Sequence, residues 1–276
     1  MKIVTDTSTL FSPAEGEELG LKVLPLSVTI NKETWKEYVD IYPNEFLEKV
    51  KAGGIPTSSQ PSVGETLEVF ETVKDDILVI SMCDGLSGTY RSAVGAKNSI
   101  ENNENITVIN TKTLCGPHRY MVKKALEMKD NGSTYQEIID KMNHYTNNHI
   151  SFLIPYDFGF LKRGGRLTPA AATILGMLKV VPLMTQTKDF LKLESCGIKR
   201  TFKAAILEIC KTLKEFGANE KYLISISHAG FIERVNEAKA IIQKHFPDTE
   251  IEVLELSPAF ITQGGPGCVA IQAIIK

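Results

Sequence analysis

The sequence predicts an α/β protein with two domains, each built from a sheet and covering helices. Over residues 1–150, short segments rich in Leu and β-branched residues alternate with segments whose apolar residues recur at helical spacing. This alternation indicates a mostly parallel sheet with helices on both faces. Over residues 151–276 a hairpin pattern interrupts the alternation, which indicates a mixed sheet with helices. We therefore place the domain boundary near residue 150.

The elements of the first domain follow from these two kinds of segment. Its β-rich segments predict strands over residues 2–5, 23–30, 77–82 and 106–109. Its amphipathic segments predict helices over residues 43–51, 63–74, 89–100 and 118–128.

The second domain begins with a predicted strand over residues 150–155 and a basic turn with a small-residue helix over 161–177. A hairpin of residues 180–185 and 190–195 follows, and then helices over 201–216 and 232–245 alternate with strands over 222–227 and 251–256. Residues 268–275 predict a final strand. The pattern leaves open whether that strand returns to the first domain.

Composition excludes several classes of protein. Hydrophobic residues make up 43% and charged residues 23%, which is typical of a globular protein. A net charge of −2 provides no field for a polyanion, so we expect no nucleic acid partner. Five scattered cysteines without C-x-x-C spacing indicate reduced thiols. The five histidines and five cysteines show no metal-ligand spacing, so we expect no metal and no cofactor.

Two further features concern location. The first six residues reach a carboxylate, Asp6, too early for a signal peptide. The most apolar window, residues 170–184, contains Lys179 and Pro182 and is too short to span a membrane. We therefore expect a cytoplasmic protein without a membrane span, while transient contact with a membrane surface stays open.

Three short polar segments are suited to binding a small anion. They are Thr57-Ser58-Ser59-Gln60-Pro61, Ser87-Gly88-Thr89-Tyr90 and Lys162-Arg163-Gly164-Gly165-Arg166. The second follows a predicted strand and precedes a helix, where free N–H groups and the helix dipole favour an anion and where Gly88 permits close approach. None of them supplies an obvious base, thiol nucleophile or metal cluster, which favours holding an anion over transforming it.

Each segment also has a purely structural interpretation. Ser87 could be an N-cap residue with Gly88 at the first helical position, worth about 1 kcal/mol, and the pattern alone favours this interpretation. For the segment around Ser58, a capping loop and a ligand site are about equally supported. The basic segment could be a solvated loop. Alternatively, its glycine pair allows Arg166 to point inward, where a guanidinium grips a carboxylate well, while Arg163 points outward.

In combination these segments resemble a known family, the DegV proteins. The motifs occur in the family's order over essentially the whole chain: Asp6-Thr7, Ser58-Ser59-Gln60-Pro61-Ser62, Ser87-Gly88-Thr89-Tyr90, Leu161-Lys162-Arg163-Gly164-Gly165-Arg166-Leu167, His228-Ala229-Gly230 and Gly265-Pro266-Gly267. The resemblance implies a two-domain fatty-acid-binding protein with the carboxylate at the domain junction and the acyl chain in a tunnel. It also implies a partner, a fatty acid kinase that phosphorylates the bound acid for phospholipid synthesis. The chain itself would then have no catalytic residue.

The resemblance also assigns the carboxylate site. Ser87 and Arg166 match the family pattern, and Gly88 lies beside Ser87. Ser58 replaces the family threonine and loses the methyl group that fixes its rotamer. Gln263 replaces the family histidine, so this position donates a hydrogen bond without titrating.

Candidate residues can also be named for the acyl tail and for a partner. Residues expected to line a tunnel, although equally at home in an ordinary core, are Phe152, Phe158, Ala171, Ile174 and Leu175. Lys162 and Arg163 are candidates for docking a kinase or another partner.

An alternative function is an enzyme that acts on a phosphorylated or acyl substrate at the same anion site. It would need a titrating group there, and Gln263 argues against one. His228 is interpreted as a structural residue at a strand end, and His118 as a surface or hinge residue.

Overall fold

The computed structural model describes residues 1–176 and 180–276, with side chains described outside 174–179. The strands are β1 (Lys2–Asp6), β2 (Lys22–Leu24), β3 (Ser27–Ile30), β4 (Glu33–Lys36), β5 (Thr57–Ser59), β6 (Ile77–Ser81), β7 (Ile106–Asn110), β8 (His149–Ile154), β9 (Val181–Gln186), β10 (Leu193–Lys199), β11 (Tyr222–His228), β12 (Glu250–Glu255) and β13 (Val269–Ile275). The α-helices are α1 (Pro13–Glu18), α2 (Pro43–Lys51), α3 (Val63–Thr72), α4 (Thr89–Asn98), α5 (Cys115–Asp130), α6 (Tyr135–Tyr145), α7 (Phe158–Gly164), α8 (Phe202–Phe216), α9 (Ile232–His245) and α10 (Pro258–Gly264). Short 3₁₀ helices cover Thr7–Thr9 and Ala171–Gly176.

A four-stranded parallel sheet, in the order β2-β1-β6-β7, forms the centre of the first domain. All five residues of β6 are buried, as expected of a strand covered on both faces. Val79 packs towards α3 and α4, whereas its neighbours Leu78 and Ile80 pack towards α5 and α6. The α/β fold class predicted from the alternating pattern is confirmed.

The expected strand over residues 23–30 is in fact two strands in different sheets. Pro25 separates β2 from β3, because proline has no N–H to donate to a strand ladder. After this break, β3 lies in a small antiparallel sheet between β4 and β5. This small sheet matters for function because β5 carries Ser58.

The second sheet is mixed, in the order β10-β9-β8-β13-β11-β12, and α8 and α9 cover one of its faces. The last strand does not return to the first domain, because β13 pairs along its length with β8 and β11. Six of its seven residues are buried, which a central strand with two neighbours explains. The predicted hairpin is confirmed as β9 and β10.

The basic segment is helical where a turn was expected. Lys162 and Arg163 lie in the last turn of α7, and Gly165 ends that helix with a φ of 70°, a conformation that glycine adopts without strain. The expected small-residue helix is a 3₁₀ helix over Ala171–Gly176.

The first and second sheets share one buried cluster. It contains α5 residues together with Leu223 of β11 and Ile274 of β13. The boundary near residue 150 separates the two sheets in sequence and stays a prediction. Within residues 1–176 and 180–276, no helix has the length and apolar character to cross a membrane.

Candidate functional site

A cavity of about 300 Å³ lies between the small sheet and the second sheet. Its wall combines β5 and the residues just before α4 with α10 and the strands β8, β9 and β13. One end is polar. The five residues assigned to the carboxylate site line the cavity, and we call this set the polar end: Ser58, Ser87, Gly88, Arg166 and Gln263.

A direct hydrogen bond connects the small sheet with α10 at the polar end. The Gln263 amide nitrogen donates to the Ser58 hydroxyl oxygen at 3.0 Å. The Gln263 carbonyl oxygen is buried and has no hydrogen-bond partner among the described residues. Gly164 allows this arrangement, since a Cβ atom there would lie 2.2 Å from the same oxygen. The two positions that depart from the family pattern, Ser58 and Gln263, are therefore in direct contact.

Ser87 and Gly88 lie just before α4. The predicted alternative, Ser87 as N-cap and Gly88 as first helical residue, is wrong by one position because Gly88 is the N-cap and α4 begins at Thr89. The Ser87 hydroxyl lies 2.8 Å from the Thr89 hydroxyl and accepts a hydrogen bond from the Thr89 N–H. Gly88 itself contributes no side-chain cap. Ser87 and Gly88 thus both line the cavity at the start of this helix.

Gly88 is predicted to set the width of the polar end. A Cβ atom at this position would lie 2.1 Å from Oε1 of Gln60, the end of a flexible side chain that can move. We expect Gly88→Ala to shift Gln60 and to weaken ligand binding about tenfold, the effect of a misplaced polar contact worth about 1.4 kcal/mol.

Gly95→Ala is the matched control for this variant. It lies in the same helix, where a Cβ atom would meet nothing within 4 Å. We expect unchanged ligand affinity and a gain in stability of about 0.5–1 kcal/mol. Calorimetric titration and urea unfolding of both variants measure the two effects. Equal affinity in Gly88→Ala and the native protein would contradict the assignment.

Arg166 is half-buried and lines the polar end. Its Nε donates to the Leu86 carbonyl at 3.2 Å, and its Nη1 donates to the Gly164 carbonyl. These bonds fix the guanidinium on the cavity wall. Lys162 and Arg163 are exposed, and the Arg163 guanidinium lies 4.5 Å from the centre of the Phe160 ring. Of the three cations in the segment, only Arg166 reaches the cavity wall.

The rest of the wall is mostly apolar, with side chains from both domains. These include Leu26, Met82, Leu86, Leu153, Leu161, Met184, Leu256 and Phe260. Phe152 lies on the wall between Ser151 and Leu153, but its side chain alternates to the opposite face of the sheet and packs with α8 and α9. Phe158 and Ala171 do not line the cavity, because they pack against Leu161 and Met184. The side chains of Ile174 and Leu175 lie outside the described residues.

The wall offers little chemistry beyond binding. Among the described residues, Arg166 is the one charged side chain that lines the cavity. Two thiols also face it, and burial raises the pKa of Cys268 to about 12 and that of Cys115 well above its usual value. Both thiols are therefore neutral and poor nucleophiles near pH 7. Within residues 1–176 and 180–276, no three His, Cys, Asp or Glu side chains come together as metal ligands.

The histidines do not contribute to this site. The interpretation of His118 as a surface or hinge residue is wrong, since it is fully buried at the start of α5. Its Nε2 lies 2.9 Å from the Ile80 carbonyl and its Nδ1 lies 2.8 Å from the Ser8 hydroxyl. The carbonyl requires a donor, so Nε2 carries the proton, and burial lowers the pKa. His228 ends β11, buried, and its Nδ1 accepts from the Gly230 N–H.

Glu37 is a buried residue that the sequence did not single out. It follows the short strand β4, and nothing in the local pattern marks it as buried. The Thr7 hydroxyl donates to its Oε1, and the N–H of Ala259 donates to its Oε2 at 2.8 Å. Burial raises the pKa of Glu37 to about 7. Because Ala259 lies in the first turn of α10, Glu37 holds the helix that carries Gln263.

Comparison with known proteins places this geometry in a family. The family model of DegV proteins, described as uncharacterised proteins of that family, matches residues 1–276. A DegV domain-containing protein of Staphylococcus aureus, SA1258, is 29% identical over 278 residues, covering 99% of this chain and 98% of that protein.

Solved structures agree with the sequence comparison. A DegV family protein from Thermus thermophilus, described by its fatty acid binding, is 26% identical with a TM-score of 0.88 over 100% of this chain and 99% of its own. DegV from Bacillus subtilis, described as a fatty acid binding protein, is also 26% identical, with a TM-score of 0.85 over the same shares. A Streptococcus agalactiae protein, SAG1342, is 23% identical with a TM-score of 0.90 over 100% of this chain and 98% of its own, and it supports the fold. The chain belongs to the DegV family.

Proposed function

We propose that this protein binds a long-chain fatty acid, with the carboxylate at the polar end and the acyl chain along the apolar wall. The observation that carries the proposal is one cavity whose described wall has a single cation, Arg166, at the polar end and is otherwise largely apolar. Its volume lies at the lower end of the range for small-molecule sites. The fatty acid binding described for the relatives from T. thermophilus and B. subtilis supports the same ligand class.

The polar end has the donors that a carboxylate requires. Arg166 supplies charge, the hydroxyls of Ser58 and Ser87 supply neutral donors, and Gly88 brings backbone close to the ligand. A buried carboxylate without these partners would cost several kcal/mol. The polar end therefore offsets desolvation, while most of the affinity comes from the tail.

The acyl chain supplies the driving force. Each buried methylene contributes about 0.8 kcal/mol, so a long chain gains on the order of 10 kcal/mol before the entropic cost of ordering it. The rigid wall formed by β8, β9 and β13 keeps the protein's own share of that cost small.

The second part of the proposal concerns what happens to the bound acid. The protein presents the carboxylate to a separate fatty acid kinase, which forms acyl-phosphate for phospholipid synthesis in the cytoplasm. Two observations support presentation over catalysis by this chain. Gln263 does not titrate, and the thiols on the wall are neutral. Lys162 and Arg163 are exposed on α7, next to the polar end, and form the proposed docking patch.

Identification of the co-purified ligand tests this function. Protein purified from a bacterial host and then denatured is expected to release fatty acid in near-stoichiometric amount, measured by mass spectrometry. Ser58→Ala and Ser87→Ala should release less, because each removes a donor worth about 1 kcal/mol. Protein that carries no fatty acid and binds none added in solution would contradict the proposal. Turnover of an acyl-phosphate by the isolated protein would instead support the enzyme alternative.

A further inference from the structure

The cavity wall changes from apolar to polar along one face of the second sheet. The apolar part of this face consists of Ala270, Leu153 and Met184 on the strands β13, β8 and β9. Two residues further along each strand, in the same direction, the side chains become Gln272, Ser151 and Gln186. We call these three residues the polar row. Successive same-face residues are about 7 Å apart, so the row lies one step beyond the apolar part.

Gln272 has an unused hydrogen-bonding group in this row. Its side chain is 2% exposed, and its amide nitrogen donates to the Leu114 carbonyl at 3.0 Å and to the Ser151 hydroxyl oxygen at 2.9 Å. The Leu114 carbonyl needs a donor, which fixes the orientation of the amide. The side-chain carbonyl oxygen of Gln272 is left buried and without a partner among the described residues. An unpaired buried acceptor of this kind costs about 1–3 kcal/mol.

Helix α5 shows where the cavity stops. On the next strand, Ser225 pairs in register with Gln272, yet it does not line the cavity. Gly116 of α5 covers it so closely that a Cβ atom there would lie 1.9 Å from the Ser225 hydroxyl oxygen. Ser225 is therefore sealed by the helix, whereas Gln272, Ser151 and Gln186 remain on the wall.

The spacing of residues along β13 shows how far the polar row lies from the polar end. Cys268, beside Gly264 next to the polar end, lies four residues before Gln272 on the same face of the chain. Four residues of extended strand span about 13 Å. With carbon–carbon bonds of roughly 1.5 Å set at a zigzag, an extended acyl chain covers that distance in about ten carbons. The row therefore faces the middle of a long chain.

We propose that the polar row is a second subsite, which binds a hydroxyl group near the middle of the acyl chain. This inference rests on the proposed function and names a ligand class for it, a mid-chain hydroxy fatty acid. The hydroxyl donates to the Gln272 carbonyl oxygen, and Ser151 and Gln186 keep the surroundings polar. A plain saturated chain at the same place leaves that oxygen unpaired. The protein discriminates between the two acids at this point.

Competition between matched acids tests the subsite. Octadecanoic acid is compared with its 10-hydroxy and 12-hydroxy derivatives by titration of lipid-free protein, and 2-hydroxyoctadecanoic acid serves as the positional control. We expect the native protein to favour at least one mid-chain hydroxy acid about tenfold or more over the plain acid, because a buried polar group discriminates strongly against a ligand that leaves it unpaired. The 2-hydroxy acid should show no such preference.

Variants show whether Gln272 binds the hydroxyl group or only stabilises the fold. Gln272→Met keeps the size of the side chain and should abolish the preference while plain acid still binds. Ser151→Ala, which removes a smaller group, should reduce the same preference. Met184→Leu, in the apolar part, should change the affinity for both acids by the same factor. A native protein that binds plain and mid-chain hydroxy acids equally well overturns the subsite and leaves the proposed function intact. If neither acid binds, the proposed function itself fails.

Discussion

Arg166→Ala is expected to weaken fatty acid binding roughly 30- to 150-fold. The variant removes the charged donor at the polar end and leaves the bound carboxylate with neutral donors only. Losing a charged hydrogen bond in a half-buried place costs about 2 to 3 kcal/mol, which corresponds to that change in affinity. The affinity of Arg166→Lys for fatty acid should lie between those of the native protein and Arg166→Ala. An ammonium group keeps the charge but cannot form the bidentate hydrogen bonds of a guanidinium. Calorimetric titration with octadecanoic acid measures all three.

Neighbouring cations are the controls for this result. Lys162 and Arg163 are exposed on α7 and do not line the cavity, so Lys162→Glu and Arg163→Glu should leave lipid affinity unchanged. The same two variants should slow phosphorylation of the bound acid by a fatty acid kinase if they form the docking patch. Arg166 also binds the carbonyls of Leu86 and Gly164, so urea unfolding is needed to show that Arg166→Ala remains folded. A folded Arg166→Ala with native affinity would contradict the carboxylate assignment.

Most of the polar end could be predicted because local sequence marks its residues. Hydroxyl runs, a serine before a helix and a glycine pair between arginines each have a physical reason to face a ligand, and Ser58, Ser87, Gly88 and Arg166 line one cavity. Gln263 has no such local mark and was assigned only through the family resemblance. The apolar wall could not be predicted with the same accuracy. The side chain of Phe152 packs with α8 and α9 on the opposite face of the second sheet, and Phe158 packs against Leu161, although both were expected to face a tunnel. Which side of a strand or a short helix faces a cavity depends on packing that no local pattern records.

Long-range structure decides what the sequence left open, misassigned or missed. The last strand was compatible with either sheet, because an apolar segment of eight residues satisfies any central position. His118 follows Pro117 at a helix start and carries the polar neighbour Arg119, yet the end of β1 buries it. Glu37 follows an exposed strand and nevertheless contacts a helix more than two hundred residues later in the chain. Such contacts arise from topology and leave no motif.

Glu37 also leads to a pH prediction, since it is a fully buried carboxyl group that fastens the helix carrying Gln263. Burial raises its pKa from 4.5 to about 7 in the folded protein. The folded state therefore prefers the protonated form. The stability that this proton contributes is complete below about pH 4.5 and is lost as the pH rises through about 7. Over that window the loss amounts to on the order of 3 kcal/mol.

Comparison with Glu37→Gln isolates this effect from other titrations. The buried residues His118 and His149 have pKa values lowered by burial, so they destabilise the folded state as the pH falls, which opposes the trend from Glu37. Both histidines are present in both proteins, and their contributions cancel in the difference. Glutamine keeps an oxygen for the Ala259 N–H and has no proton to lose. We expect the free energy of unfolding of Glu37→Gln, measured in urea, to rise relative to the native protein between about pH 5 and pH 8. Parallel pH profiles for the two proteins would mean that Glu37 titrates alike in the folded and unfolded chain, and that it does not hold α10 as a buried, protonatable group.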